Sequence, residues 1–169
     1  MSAPGLSHVD ADGRLRMVDV SAKAATLREA AASGAVLMRP ATLAAIRAAA
    51  LPKGDVLTVA RIAGIQAAKR TSELVPLCHP VALTDVEVTC TPDDGLPGIR
   101  VAAVARCIGA TGVEMEAMCA VSVALLTIYD MAKAVDREMV LTDVRLDRKS
   151  GGRGGSWHRP DDDGTEGGR

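Results

Sequence analysis

The chain has 169 residues, with 20 Lys and Arg against 21 Asp and Glu; the formal net charge of -1 puts little electrostatic resistance in the way of self-association. Its aromatic residues are Tyr129 and Trp157 alone, with no Phe, so single-stranded nucleic acid would find almost no stacking platform. At this length one domain is expected, with a core of Ala, Val, Leu, Ile and Met that covers further surface by forming an oligomer.

Four cysteines at 78, 90, 107 and 119 form no C-x-x-C pair, and the first residues carry no secretory pattern. Reduced thiols and a cytoplasmic location are therefore expected. The longest apolar run, residues 117–128, falls short of the roughly 20 residues a membrane helix needs, so no bilayer span is expected.

In chain order, Ser21 followed by Ala-Lys-Ala-Ala-Thr-Leu-Arg-Glu-Ala-Ala predicts a capped helix ending at Gly34, with a short strand over residues 35–38. Pro40 opens a second helix to residue 50, Pro52-Lys53-Gly54-Asp55 breaks it, and residues 56–69 repeat apolar positions at helical spacing. From Pro80 the period changes to two. Val86, Val88 and Cys90 alternate with Asp85, Glu87 and Thr89, and beyond a Pro-Asp-Asp-Gly turn Ile99, Val101, Ala103 and Ala105 repeat at the same spacing, which predicts an antiparallel hairpin. A long apolar helix over residues 111–134 and a final strand over residues 140–146 follow. The sum is an α+β fold, a sheet with helices on one face. Residues 153–169 read as a flexible tail, acidic and glycine-rich at its end.

Chemistry concentrates on the long helix, where Glu114, Glu116, Asp130 and Lys133 interrupt an otherwise apolar segment. An ionised side chain in such a place is unfavourable unless it is paired, shifted or used. Placement of the two glutamates at the positive helix end is the competing reading; Asp130 in the last turn opposes the dipole and fits that reading less well. Glu116 and Asp130 lie roughly 21 Å apart along one helix, too far to serve one reacting atom. Either each chain has two sites, or a symmetric partner completes one site at an interface, and the second is preferred. Asp130 and Lys133, three apart, share a face.

Elsewhere, Lys53 in its loop is a possible anion ligand or a solvated lysine. In Leu77-Cys78-His79-Pro80, successive side chains of an extended segment point apart, which argues against a Cys78–His79 dyad; His79 alone, fixed by Pro80, is a better acid, base or donor. The cysteines and histidines offer no zinc spacing, and no metal is expected. Lys149-Ser-Gly-Gly-Arg153 permits close approach to a phosphate, but it lacks the P-loop pattern, and a linker is the simpler reading.

Together, Met17-Val-Asp-Val-Ser-Ala-Lys23, Lys53-Gly-Asp55, the stretch from Ala60 to Thr71, Leu77-Cys-His-Pro80, Thr111-Gly-Val-Glu-Met-Glu-Ala117, Ile128-Tyr-Asp-Met-Ala-Lys-Ala134 and Lys149-Ser-Gly-Gly152 resemble the molybdenum cofactor biosynthesis protein C family. The resemblance runs in order from about His8 to Gly152, so a single catalytic domain over residues 1–152 is expected. It implies a ferredoxin-like antiparallel sheet and a hexamer of three dimers, with the pocket at the dimer interface. It further implies a lyase that takes 3′,8-cyclo-7,8-dihydro-GTP, made by a radical SAM cyclase, to cyclic pyranopterin monophosphate with release of pyrophosphate. No cofactor is implied. By motif, Asp130, Lys133 and Lys53 are the implied catalytic residues. Leu77, Cys78, His79, Glu114, Met115, Glu116 and Lys149 are implied in substrate binding, with Arg28 as a further anion ligand. A non-catalytic nucleotide-binding oligomer and a purely structural oligomer are the alternatives; the second leaves the four charges on the long helix without purpose.

Overall fold

The structure is a computed structural model that describes residues 13–160. Five strands form one antiparallel sheet: β1 (Thr26–Leu37), β2 (Leu83–Asp93), β3 (Gly98–Gly109), β4 (Val140–Ser150) and β5 (Trp157–His158), in the spatial order β2-β3-β1-β4-β5. The helices are α1 (Pro40–Arg47), α2 (Val56–Lys69), the single turn α3 (Thr71–Leu74) and α4 (Glu114–Ala132). Leaving aside β5 and the short helices, the chain runs β-α-β-β-α-β, the ferredoxin-like arrangement.

In β3 the period-two pattern sends Ile99, Val101, Ala103, Ala105 and Cys107 into the core, where α4 covers them. On α4, Ala117, Ala120, Val121, Ala124, Leu125 and Ile128 are fully buried at helical spacing between the sheet and α2. By length and apolarity alone α4 passes the test for a membrane span, but half of that window is buried inside this fold. Asp55 starts α2 as its cap, accepting from the Thr58 amide at 3.0 Å.

One expectation is overturned. Most of the segment predicted as a first helix is the strand β1, which begins at Thr26 and runs on to Leu37, into the short strand predicted at residues 35–38. Alanine favours a helix in isolation, but β1 lies between β3 and β4, and Ala30, Ala31 and Ala32 are all buried, on both faces. Small residues here let α4 close on the sheet: a Cβ at Gly34 would lie 2.9 Å from a Leu125 methyl. Burial across the sheet outweighs local propensity.

At the other end, the expected strand from Val140 extends to Ser150, and the segment read as a tail contributes β5. Lys149 pairs with Trp157 and Arg148 with His158. Arg159 adds its amide to the Asp147 carbonyl at 2.8 Å and sets its guanidinium 5.8 Å from the Trp157 ring centre. Residues 161–169 of the expected tail lie outside the described residues.

Asp136, beyond α4, is a fully buried carboxylate. It accepts from the Arg39 amide at 2.9 Å, the Thr42 hydroxyl at 3.0 Å and the Glu138 amide at 3.2 Å, which fastens the start of α1 to the end of α4. Burial alone would raise its pKa; the hydrogen bonds from Arg39, Thr42 and Glu138 outweigh that and hold it below the usual range.

Candidate active site

The last turn of α4 and the loop before α2 bring three charges together. Lys53 Nζ donates to Asp130 Oδ2 at 2.7 Å, and Lys133 Nζ lies 2.7 Å from Asp130 Oδ1. The Lys133 ammonium, and after it Lys53, hold the Asp130 carboxyl down at about 2. All three side chains are about half exposed, at 47 to 53%. An ionised carboxylate in a last turn opposes the helix dipole; two ammonium groups on its two oxygens offset that cost. The result is two lysine side chains gathered on one carboxylate, all three half exposed.

The remaining predicted residues gather at the opposite end of α4, around two adjoining clefts. The larger, of about 590 Å³, is lined by Lys23, Arg28, Glu114, Lys149, Gly152 and Arg153 among others. The smaller, of about 360 Å³, takes in Leu77, Cys78, His79, Met115 and Glu116. Lys23, Thr111, Gly112 and Glu114 border both. The two clefts therefore share a wall.

The larger cleft is cationic. Lys149 pairs with Glu114 at 3.0 Å. Arg28, on β1, donates to the carbonyls of Gly109 and Ala110, and neither it nor Lys23 nor Arg153 has a carboxylate partner among the described residues. The glycine-rich segment is part of this wall. Gly151 and Gly152 have φ of +97° and +70°, and a Cβ at Gly152 would fall 1.6 Å from Arg28 Nη1. The Arg28 guanidinium could swing away from such a group, but a Cβ at Gly151 would fall 2.2 Å from the Leu27 backbone carbonyl oxygen, so glycine is required there and the segment is packed against β1.

The smaller cleft is set up for proton chemistry and hydrogen bonding. Glu116 is 4% exposed; burial, reinforced by the neighbouring Glu114, pushes its carboxyl up. His79 Nε2 lies 2.7 Å from the Val18 carbonyl oxygen, an acceptor, so that nitrogen carries the ring hydrogen. Burial, then Glu116 and Cys119, raise the Cys78 thiol, which disfavours its thiolate. No group of three or more His, Cys, Asp or Glu side chains among the described residues is disposed to hold a metal ion.

Within one chain the structure therefore unites Lys53, Asp130 and Lys133, and separately unites Arg28, Glu114 and Lys149 beside Leu77, Cys78, His79, Met115 and Glu116. It does not bring the two sets together, because α4 separates them. Sequence reasoning missed two cleft residues. Lys23 fell in the segment misread as helical, and Arg153 counted as an interruption of a glycine linker; the cationic spacing of Arg28, Lys149 and Arg153 was the available signal.

Comparison with known proteins places the sequence in a family. Residues 17–152 match the model of the MoaC family. A cyclic pyranopterin monophosphate synthase of Methylobacterium sp. (strain 4-46) is 60% identical over 152 residues, covering 90% of this chain and 95% of that protein. One from Chloroflexus aurantiacus is 58% identical over 155 residues, covering 92% and 95%. Cyclic pyranopterin monophosphate synthase 3 of Mycobacterium bovis is 58% identical over 158 residues, covering 94% and 89%. The matched span contains every residue of the two sets, though not Arg153 and Gly154 of the larger cleft, and the chain belongs to the MoaC family.

Proposed function

We propose that this chain is a cyclic pyranopterin monophosphate synthase of molybdenum cofactor biosynthesis, with an active centre completed between two protomers. The substrate is a cyclised GTP, 3′,8-cyclo-7,8-dihydro-GTP, supplied by a radical SAM enzyme in the cytoplasm. Its triphosphate suits the larger cleft, where Lys23, Arg28 and Lys149 meet it; its fused rings suit the smaller, against His79, Met115 and Glu116.

The observation that carries the reading is the Lys53–Asp130–Lys133 cluster. Opening the guanine-derived ring requires a proton delivered to one nitrogen and another withdrawn at each hydrolytic step, and positioned ammonium groups supply that exchange. In closing the cyclic phosphate, a sugar hydroxyl oxygen bonds to the α-phosphorus and gives its proton to a base. The bond to the bridging oxygen breaks, and pyrophosphate leaves with the electron pair. Cations in the larger cleft stabilise the charge that develops there.

The exposed side of α4 supports a shared site. Met115, Cys119, Ser122, Leu126 and Asp130 follow one another at helical spacing, and Leu126 is 58% exposed. Two such helices packed antiparallel about a two-fold axis near Ser122 set Glu114 opposite the partner's Asp130, which carries the partner's Lys133 and Lys53 to the mouth of the clefts. Three such dimers would make the hexamer the family resemblance implies. The test is to incubate the protein with enzymatically prepared cyclic dihydro-GTP and look for fluorescent pterin after oxidation. Absence of that product from a folded oligomer would overturn the assignment.

A further inference from the structure

We propose that Arg153, held by the β4–β5 hairpin, is the ligand for the two terminal phosphates, and so for the pyrophosphate that leaves. The inference rests on the reading above for its substrate, but its chemistry is on the page. Arg153 is the first residue beyond the family match and it lines the larger cleft. Among the described residues its guanidinium has no hydrogen bond or ion pair, whereas Lys149, four residues earlier, is already engaged by Glu114. A planar guanidinium that can meet a diphosphate bidentately is the group such an anion selects.

Location decides which phosphates. Lys23 and Glu114 border both clefts, while Arg153 borders the larger alone. With the rings in the smaller cleft, the chain of phosphates enters past the shared wall. The first phosphate meets Lys23, and the outer two run toward the 150–154 segment. The product keeps a single phosphate closed onto its sugar, so contacts to Arg153 end when pyrophosphate departs.

A glycine-rich loop alone would leave this arginine on a flexible tether, and ordering it would cost binding free energy. Here both ends of the loop are clamped. Lys149 pairs with Trp157 and Arg148 with His158, the Gly155 amide closes a turn onto the Gly152 carbonyl, and Arg159 bonds its amide to Asp147 and its Nε to the Leu146 carbonyl. The short strand β5 thereby acts as a positioning device for Arg153.

The experiment is calorimetric titration of the full-length oligomer with inorganic pyrophosphate and, separately, with cyclic pyranopterin monophosphate. Arg153→Ala is expected to weaken pyrophosphate binding about tenfold to a hundredfold, the worth of a charge-assisted hydrogen-bonded contact, with product affinity unchanged. Arg153→Lys should retain part of the affinity, and a chain ending at Ser156, which lacks β5, should resemble Arg153→Ala. Unchanged pyrophosphate affinity in Arg153→Ala, or equal weakening of pyrophosphate and product, overturns the proposal; so does a wild-type protein that does not bind pyrophosphate. Full affinity in the chain ending at Ser156 overturns the role of β5. Because no turnover is involved, pyrophosphate binding through Arg153 in a protein that fails to make the pterin would refute the enzyme assignment and leave this site standing.

Discussion

Lys53 grips Asp130 at two points, donating to its carboxylate at 2.7 Å and to its backbone carbonyl at 2.9 Å. The second bond occupies one of the last carbonyls of α4, which have no partner within the helix. Lys53 is thus a cap for α4 as well as a neighbour of Lys133, and its removal would disturb geometry and chemistry together. Asp130 and Lys133 allow cleaner tests.

Asp130→Ala and Lys133→Ala should each lower turnover about a hundredfold to ten-thousandfold, the usual cost of losing a positioned proton carrier. Oligomer size and circular dichroism should stay close to wild type, since both side chains are half exposed. Steady-state assays settle it, and more than a tenth of wild-type activity in either variant would remove the assignment.

Acid should dissolve the same cluster. The Asp130 carboxyl lies at about 2 against an ordinary 3.8, so its stabilising contribution is present above the ordinary value and is lost as pH falls through about 2. Carbon-detected titration of Asp130 should show the lowered midpoint. In Lys133→Ala it should move upward toward the ordinary value; no movement would mean that Lys133 does not hold this carboxylate.

Glu116 should behave in the opposite sense. Its pKa is raised above the ordinary 4.5 by burial, so the folded chain loses stability as pH rises from that value through the folded one. Glu116→Gln should therefore raise the melting temperature at neutral pH and leave it unchanged below about pH 4. A variant less stable than wild type at neutral pH would show that the carboxylate is charged and satisfied.

Mixed oligomers test the shared site. Glu114→Ala and Lys133→Ala proteins should each be inactive alone. After co-refolding, half of random pairs are mixed, and each mixed pair has one intact site beside one doubly damaged site, so activity should approach roughly a quarter of wild type. Mixed oligomers seen by mass spectrometry but inactive would return Glu114 to a role at a helix end within its own chain.

Exhaustive chelation should leave the chemical step running, because the lysines and arginines of the larger cleft can screen the phosphates. Loss of turnover in EDTA, restored by one divalent metal, would point to a metal site.

Much of the architecture was legible where side chains differ in kind. The α2 segment from Val56 to Lys69 keeps a helical period, and in the β2–β3 hairpin Val86, Val88 and Cys90, then Ile99, Val101, Ala103 and Ala105, recur at every second residue. β1 was not legible. Three successive alanines carry no period, and only their burial between two other strands decides the conformation. The charges of the site stood out on α4 because they interrupt an apolar run, whereas nothing in the residues beside Asp136 marks it, because its partners Arg39 and Thr42 are distant in sequence. Arg153 depended on β5, and a two-residue strand leaves almost no pattern.

The length of α4 has a consequence for how the catalyst responds to its own concentration. On the shared-site reading, a lone chain carries the phosphate-binding rooms at one end of a rigid rod and the proton carriers at the other, and neither end works alone. Specific activity is then a measure of association: it should hold constant above the dissociation constant of the dimer and fall in proportion to protein concentration below it. On that reading, the amount of chain made sets both the number of active centres and the fraction of them that exist.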